Sequence, residues 1–207
     1  LRALVTPRTR MIVICNPNNP TGARVSGADL DGICQIAAKY GAWVLADEIY
    51  RGAELDGVET SSAWGRYDRV IVTSGLSKAY GLPGLRIGWI VSAPPLVSAI
   101  WAHHDYTTIG PGALSDRLAR HALKPDVRAR ILQRTRHILT SNLPVMTAWL
   151  DQHRDRLACA LPEAGAIVYV KYRDPINSVD LVDRLREEKS VLIVPGDHFG
   201  MDGYLRI

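Results

Sequence analysis

Apolar residues along the chain fall into two rhythms. Met11-Ile-Val-Ile-Cys15 and residues 42–46, 70–73 and 87–91 are short apolar runs, punctuated by Asn, Pro, Gly or Asp, and they read as buried strands. Between the first two runs, Ser26 with Asp29 three residues on is a helix-start signal. Leu30, Ile33, Ile36, Ala37 and Tyr40 then keep a helical period as far as Gly41. Strands alternating with a helix or a long crossover predict an α/β fold built on a mostly parallel sheet. After Pro95 the pattern turns helical. From 125 to about 160, Ile131, Leu132, Ile138, Leu139, Leu143, Met146 and Leu150 share one period, and Pro144 is expected to kink or break that helix. A strand at 166–170, a helix at 179–188 and strands at 191–194 and 204–207 make a second, smaller α/β layer. A boundary near Pro144 would divide the chain into residues 1–144 and 145–207.

Composition narrows the class. Of 207 residues, 47% are hydrophobic and 22% charged, as in ordinary globular proteins. No apolar run approaches the roughly 20 residues that span a bilayer, and the basic first residues lack a secretory signal's apolar stretch. The net charge of +4 is spread out, and its densest stretch, 128–136, reads as the wet face of a helix, which argues against a nucleic-acid partner. Cys15, Cys34 and Cys159 share no metal-ligand spacing and read as small apolar filler in a reducing compartment, consistent with a cytoplasmic protein. His103 and His104 have no ligand partners at useful spacing, so no metal site is expected. The tryptophans read as core and interface residues.

Three strings carry chemistry, each just past a strand end, where open α/β sheets place their ligands. Asn16-Pro-Asn-Asn-Pro-Thr-Gly22 follows the first strand, and its prolines and glycine hold an Asn amide rigidly at the tip. Asp47-Glu-Ile-Tyr50 puts a carboxylate at the end of an apolar strand, which is costly unless a cation meets it: a side chain, a metal or a protonated ring nitrogen. Residues 74–88 gather hydroxyls, glycines, Lys78 and Arg86 into one loop. Hydroxyls, backbone N–H groups and an arginine make a phosphate cradle, and a lysine among them can be an amine nucleophile toward a carbonyl. Lys39, Lys124, Lys171 and Lys189 lie on helices, a strand end or loop edges, without such surroundings.

Together the three strings resemble the class I/II aminotransferases, the fold-type I pyridoxal-phosphate enzymes, whose pattern runs N-P-x-N-P-T-G, D-x-x-Y, then S-K with an Arg eight residues after the Lys. The resemblance continues through Pro195-Gly-Asp-His-Phe-Gly200 to Tyr204-Leu-Arg-Ile207 and so covers the chain. It implies pyridoxal 5'-phosphate as cofactor, with residues 1–144 the C-terminal portion of the cofactor-binding large domain and 145–207 part of the small domain. Lys78 would be the Schiff-base lysine and later move the substrate's α-proton. Asp47 would pair with the pyridinium nitrogen, Asn19 and Tyr50 would bond the ring's phenolic oxygen, and Ser77 and Arg86 would hold the phosphate. Arg206 would clamp the substrate's α-carboxylate, with Asn19 beside it.

The reaction implied is amino transfer between an amino acid and a 2-oxo acid, in a homodimer. The same scaffold also serves β-elimination, decarboxylation, racemisation or amine oxidation, and serves regulators that keep such a domain as a sensor. Residues 106–110 would approach the dimer interface and 196–200 would form a substrate-side loop. Gly75 departs from the family, which often has Ser or Thr there. Its hydroxyl would come from Ser74, or a backbone N–H would take its place. Family chains are longer, so a partial chain is expected, with a ring-stacking aromatic, a Gly/Ser phosphate loop and a Tyr that crosses the dimer supplied by residues before Leu1.

Overall fold

The structure is a computed structural model that describes residues 1–207. Strands β1 (Met11–Cys15), β2 (Trp43–Asp47), β3 (Val70–Gly75) and β4 (Gly88–Val91) form one sheet in that order. The β1–β2 and β2–β3 pairings are parallel and β3–β4 is antiparallel. Helix α1 (Gly27–Tyr40) crosses between β1 and β2. The Ser26 hydroxyl accepts from the Asp29 N–H at its start, and Gly41 ends it in the left-handed region at φ 65°. Leu30, Cys34 and Ala37 on its inner face are buried, and the last two join Val44, Ala46, Val70 and Val72 in the main core.

Helices α2 (Pro94–His104), α3 (Ala113–Ala122) and α4 (Pro125–Gln152) follow. The expected break at Pro144 does not occur, since α4 runs through it to Gln152. Proline removes one N–H and orphans the carbonyl four residues back, but Thr140 and Pro144 are both exposed, so that carbonyl is not buried without a partner. Packing holds the helix on either side: Leu132 is buried against Leu76 and Tyr80, and Leu150 against Val168 and Val170.

The second sheet has the order β5-β6-β8-β7, from β5 (Leu157–Cys159), β6 (Tyr169–Tyr172), β7 (Val194–Pro195) and β8 (Tyr204–Arg206), with helix α5 (Ser178–Lys189) between β6 and β7. All its pairings are antiparallel. Strand β5 lies where the helical pattern was expected to continue, and β7 is shorter than the apolar run that suggested it.

A seam joins the two sheets. The Gly22 carbonyl accepts from the N–H groups of Glu163 and Ala164 at 3.0 and 3.1 Å, and Gly165 N–H donates to the Ala53 carbonyl at 3.0 Å. A second tie runs from α4 to the loop after β2: Arg128 makes a forked pair with Glu59 at 2.7 and 2.9 Å and donates to the Tyr80 hydroxyl.

Two predictions test these ties. The Arg128 guanidinium holds the Glu59 carboxyl below its usual 4.5, against the opposing effect of burial. A carboxyl lowered on folding stabilises the protein above its unfolded value and loses that contribution as pH falls through the folded one. Glu59→Gln is therefore expected to lower Tm at neutral pH and to narrow its gap from wild type as pH falls below about 4.5, as followed by thermal melts across pH. At Gly22, φ is +68° and an added Cβ would lie 2.3 Å from Pro162 Cβ. Gly22→Ala should cost about 1–3 kcal/mol in denaturant unfolding, and a variant as stable as wild type would show that the seam yields freely.

Candidate active site

The tips of β1, β2 and β3 lie side by side, with Cys15 level with Asp47 and Asp47 level with Thr73. Each of the three chemical strings emerges there. In the first, the buried Asn16 side chain accepts from Val25 N–H at 2.8 Å, while Asn18 Oδ1 accepts from the hydroxyl of Thr21 at 2.8 Å and its N–H at 3.2 Å. These internal bonds leave Asn19 at the tip. In the second, Asp47 Oδ1 accepts from Ile49 N–H at 3.0 Å, closing the turn that presents Tyr50. Asp47 takes part in none of the chain's ion pairs, and no group of three His, Cys, Asp or Glu side chains is placed to hold a metal.

The third loop closes on itself. Leu76 N–H donates to the Ile87 carbonyl at 3.0 Å, Leu82 N–H to Leu76 and Gly81 N–H to Lys78, each at 2.9 Å. Leu76, Ala79 and Tyr80 are buried, while Lys78 between them faces outward. Buried apolar anchors on either side of it thus hold a tight turn from which Lys78 projects outward.

Lys78 opens on a cavity of about 630 Å³ between the two sheets, lined also by Asn19, Tyr50, Ser77 and Arg206. Arg206 reaches it from β8 and donates to Asn19 Oδ1 at 3.3 Å. Burial pushes the Tyr50 phenol up, and Cys15 and Asp47 add to that, while Arg206 and the Asn19 side chain favour its ionised form. Burial likewise raises the Cys15 thiol, opposed by the Asn19 N–H and reinforced by Asp47. The lining contains two cations and no carboxylate. Such a site suits an anionic ligand bearing a carbonyl, with an amine positioned to attack it and a guanidinium to orient a carboxylate.

Three expected members stand elsewhere. Asp47 is not among the lining residues, and its Oδ1 accepts from Ile49 N–H at the tip of β2. Arg86 is exposed, is not among the lining residues, and donates to the Pro83 carbonyl at 3.2 Å. The Ser74 hydroxyl donates to the Glu48 carbonyl at 3.2 Å and borders a different cavity, with Trp89 and Arg128, so it does not replace a hydroxyl missing at Gly75. Gly75 itself has no room for one: an added Cβ would stand 2.8 Å from the Ile87 carbonyl oxygen on β4's approach. The apolar wall of the site, Leu139, Ile167 and residues 192–194, was not identified from sequence. Those residues carry no polar signature and come together only through α4 and the second sheet.

Comparison with known proteins agrees with this geometry. The family model "Aminotransferase class I and II" matches residues 1–207. The chain is 32% identical to a protein of Streptomyces vinaceus named capreomycidine synthase, covering 100% of the chain and 53% of that relative. It is 28% identical to an aspartate aminotransferase of Streptomyces avermitilis, covering 100% and 53%. A solved PLP-dependent aminotransferase from Streptococcus suis superposes with a TM-score of 0.90 at 36% identity, covering 100% of this chain and 54% of that one. The chain spans about half the length of the curated relatives it matches. With the match running through every string that builds the cavity, the chain belongs to the class I and II aminotransferase family.

Proposed function

We propose that the protein is a pyridoxal 5'-phosphate-dependent aminotransferase that moves an amino group between an amino acid and a 2-oxo acid. One observation carries the reading: Lys78 and Arg206, from separate sheets, open on one carboxylate-free cavity. The donor set suits the cofactor. With the cofactor bound, Lys78 would meet its aldehyde, Ser77 its phosphate, Asn19 and Tyr50 its ring oxygen, and Asp47, at the β2 tip outside the cavity lining, its ring nitrogen. When bound, the cofactor supplies an electron-withdrawing ring that stabilises charge developing on the substrate's α-carbon.

The chain's own groups do the remaining work. Lys78 Nζ would hold the cofactor through its aldehyde and would move the substrate's α-proton. Asp47, which accepts only one hydrogen bond within the chain, would keep the ring nitrogen protonated. Asn19 and Tyr50 would hold the phenolic oxygen. Ser77 would bind the phosphate, and Arg86 would join it only by giving up its bond to the Pro83 carbonyl. Arg206 binds the α-carboxylate as a planar, two-pronged donor while Asn19 steadies one of its nitrogens.

Residues 1–144 belong to the large domain and 145–207 to the small one, with α4 as a strut through both. A homodimer fits α2, which buries no residue, and the segment after it, where Tyr106 is 91% exposed and Ile109 73%. Three free cysteines fit a reducing cytoplasm, and no helix is long and apolar enough to cross a membrane. A second reading has one observation in its favour: a relative at 32% identity is named a synthase rather than an aminotransferase. Product analysis with and without an added 2-oxo acid separates the two, since only amino transfer requires the acceptor.

Borohydride reduction of the full-length protein with its cofactor, followed by peptide mapping, should place the phosphopyridoxyl label on Lys78. A label on Lys39, Lys124, Lys171 or Lys189 instead would sink the assignment. Arg206→Ala should cost about 2–5 kcal/mol in kcat/KM for amino acids and much less for amines lacking a carboxylate. Arg206→Lys should be nearly as damaging, because an ammonium cannot reproduce the planar fork. Equal losses for both substrate types would mean that Arg206 is structural.

A further inference from the structure

We infer that Phe199 is a positioning residue for substrate carboxylate, acting by fixing the plane of the Arg206 guanidinium. The inference deepens the proposed function and rests on its assignment of Arg206 to the carboxylate. Phe199 is the chain's single phenylalanine, and its ring lies 5.5 Å from Arg206 Cζ. That distance is within the range at which a guanidinium is attracted to an aromatic face.

The ring does not stand alone. Strand register puts Tyr169 of β6 opposite Arg206 and Lys171 opposite Tyr204, so all four side chains project from one face of the second sheet. Phe199 meets Tyr169 edge to face, with centroids 6.0 Å apart and planes at 83°. Tyr169 stacks on Tyr204 at 4.9 Å and 15°, and Lys171 Nζ lies 5.8 Å from the Tyr204 ring. The result is a row of three aromatic rings with a cation at each end. Tyr169 is 6% exposed, and its hydroxyl is buried without a hydrogen-bond partner. Keeping an unsatisfied hydroxyl there is unfavourable, so the ring's place in the row is held against a real cost.

The backbone under Phe199 is equally constrained. Phe199 ends a 3-10 turn, Gly196–Phe199, whose first residue has no room for a side chain: an added Cβ at Gly196 would lie 2.0 Å from the Met201 carbonyl oxygen and 2.7 Å from that of Tyr204. Asp197 N–H donates to the Ser178 hydroxyl at 3.1 Å, and Asn177 Nδ2 donates to the Asp197 carboxylate at 2.8 Å, which ties the turn to the start of α5. Phe199 is thus a fixed wall, while an arginine side chain is intrinsically free.

What the wall leaves open matters as much as what it holds. A guanidinium has five N–H donors, and an aromatic face attracts its charge without accepting any of them in the plane. Asn19 takes a bond from one Nη, and no carboxylate of the chain pairs with Arg206. Arg206 is therefore oriented before substrate arrives, with the rest of its fork unused. Ordering it in advance lowers the entropy lost on binding.

The test uses the full-length protein with its cofactor and the variants Phe199→Leu, which removes the ring face, and Phe199→Tyr, which keeps it. The binding probe is 3-phenylpropanoate, a carboxylate with no amino group to react, titrated by calorimetry, with turnover of phenylalanine and 2-phenylethylamine measured alongside. The expected result for Phe199→Leu is carboxylate affinity weakened on the order of 5- to 10-fold. KM for phenylalanine should rise by a similar factor at little-changed kcat, with 2-phenylethylamine unaffected, and Phe199→Tyr should match wild type. The inference is overturned if Phe199→Leu binds 3-phenylpropanoate like wild type, if Phe199→Tyr is as weak as Phe199→Leu, or if 2-phenylethylamine suffers equally. Failure of the parent reading looks different. A wild-type protein that transfers no amino group, yet binds 3-phenylpropanoate in a Phe199-dependent way, overturns the proposed activity and supports the role of Phe199.

Discussion

The contact on which the site depends is the approach of Gly22 to Pro162, too close for even a methyl group between them. Through it the loop after β1 and the segment before β6 share backbone hydrogen bonds, and a bridge between Glu54 and Ala164 extends the seam. Neither sheet alone makes the cavity. The first supplies Asn19, Tyr50, Ser77 and Lys78; the second supplies Arg206 and the apolar wall of residues 192–194. Backbone bonds at the seam fix the distance between an amine and a guanidinium that lie far apart in sequence. The one hydrogen bond from Arg206 to Asn19 is then a consequence of that closure rather than its cause.

Carboxylates near the site divide into two kinds by what meets them. Glu48 is buried and accepts from the Ser62 hydroxyl and Ala63 N–H, both at 2.8 Å, while Glu54, buried completely, accepts from the N–H groups of Gly52 and Thr60. Their accepted bonds organise the loop between β2 and β3. Asp47 accepts only from Ile49 N–H, at the tip of a strand whose register neighbours are Cys15 and Thr73. An under-coordinated carboxylate at the tip of a buried strand is the arrangement expected where a cation is to be met from outside the chain.

Much of this was legible in the sequence because it is local. The cap at Ser26, the stop at Gly41 and the apolar runs that became β1 to β3 depend on neighbours a few residues away. Lys78, Asn19, Tyr50 and Ser77 were legible as members of ordered strings, and they do share one cavity. What could not be read depends on distant packing. Pro144 breaks nothing because its side of α4 happens to face water. Strand β5 is three residues long and exists only as the partner of β6. Ser74 and Arg86 are turned to the carbonyls of Glu48 and Pro83, contacts that motif spacing does not encode.

The way the chain holds its arginines separates those that build from those that bind. Arg128 is locked by a forked pair with Glu59, and Arg24 meets Asp56 at 2.7 Å; both tie segments of the chain together. A guanidinium held so has spent its planar fork on the protein, and an incoming carboxylate would have to displace a resident one. Arg206 is held by an amide oxygen and, on the reading above, by the face of Phe199, neither of which carries negative charge. Its orientation is set without neutralising it, so its charge remains available to a ligand. An amide and an aromatic ring are weaker anchors than a carboxylate, and that weakness is what a binding arginine requires. The same logic accounts for the lining as a whole, where two cations face the cavity and every nearby carboxylate is turned to the backbone or to the strand tip.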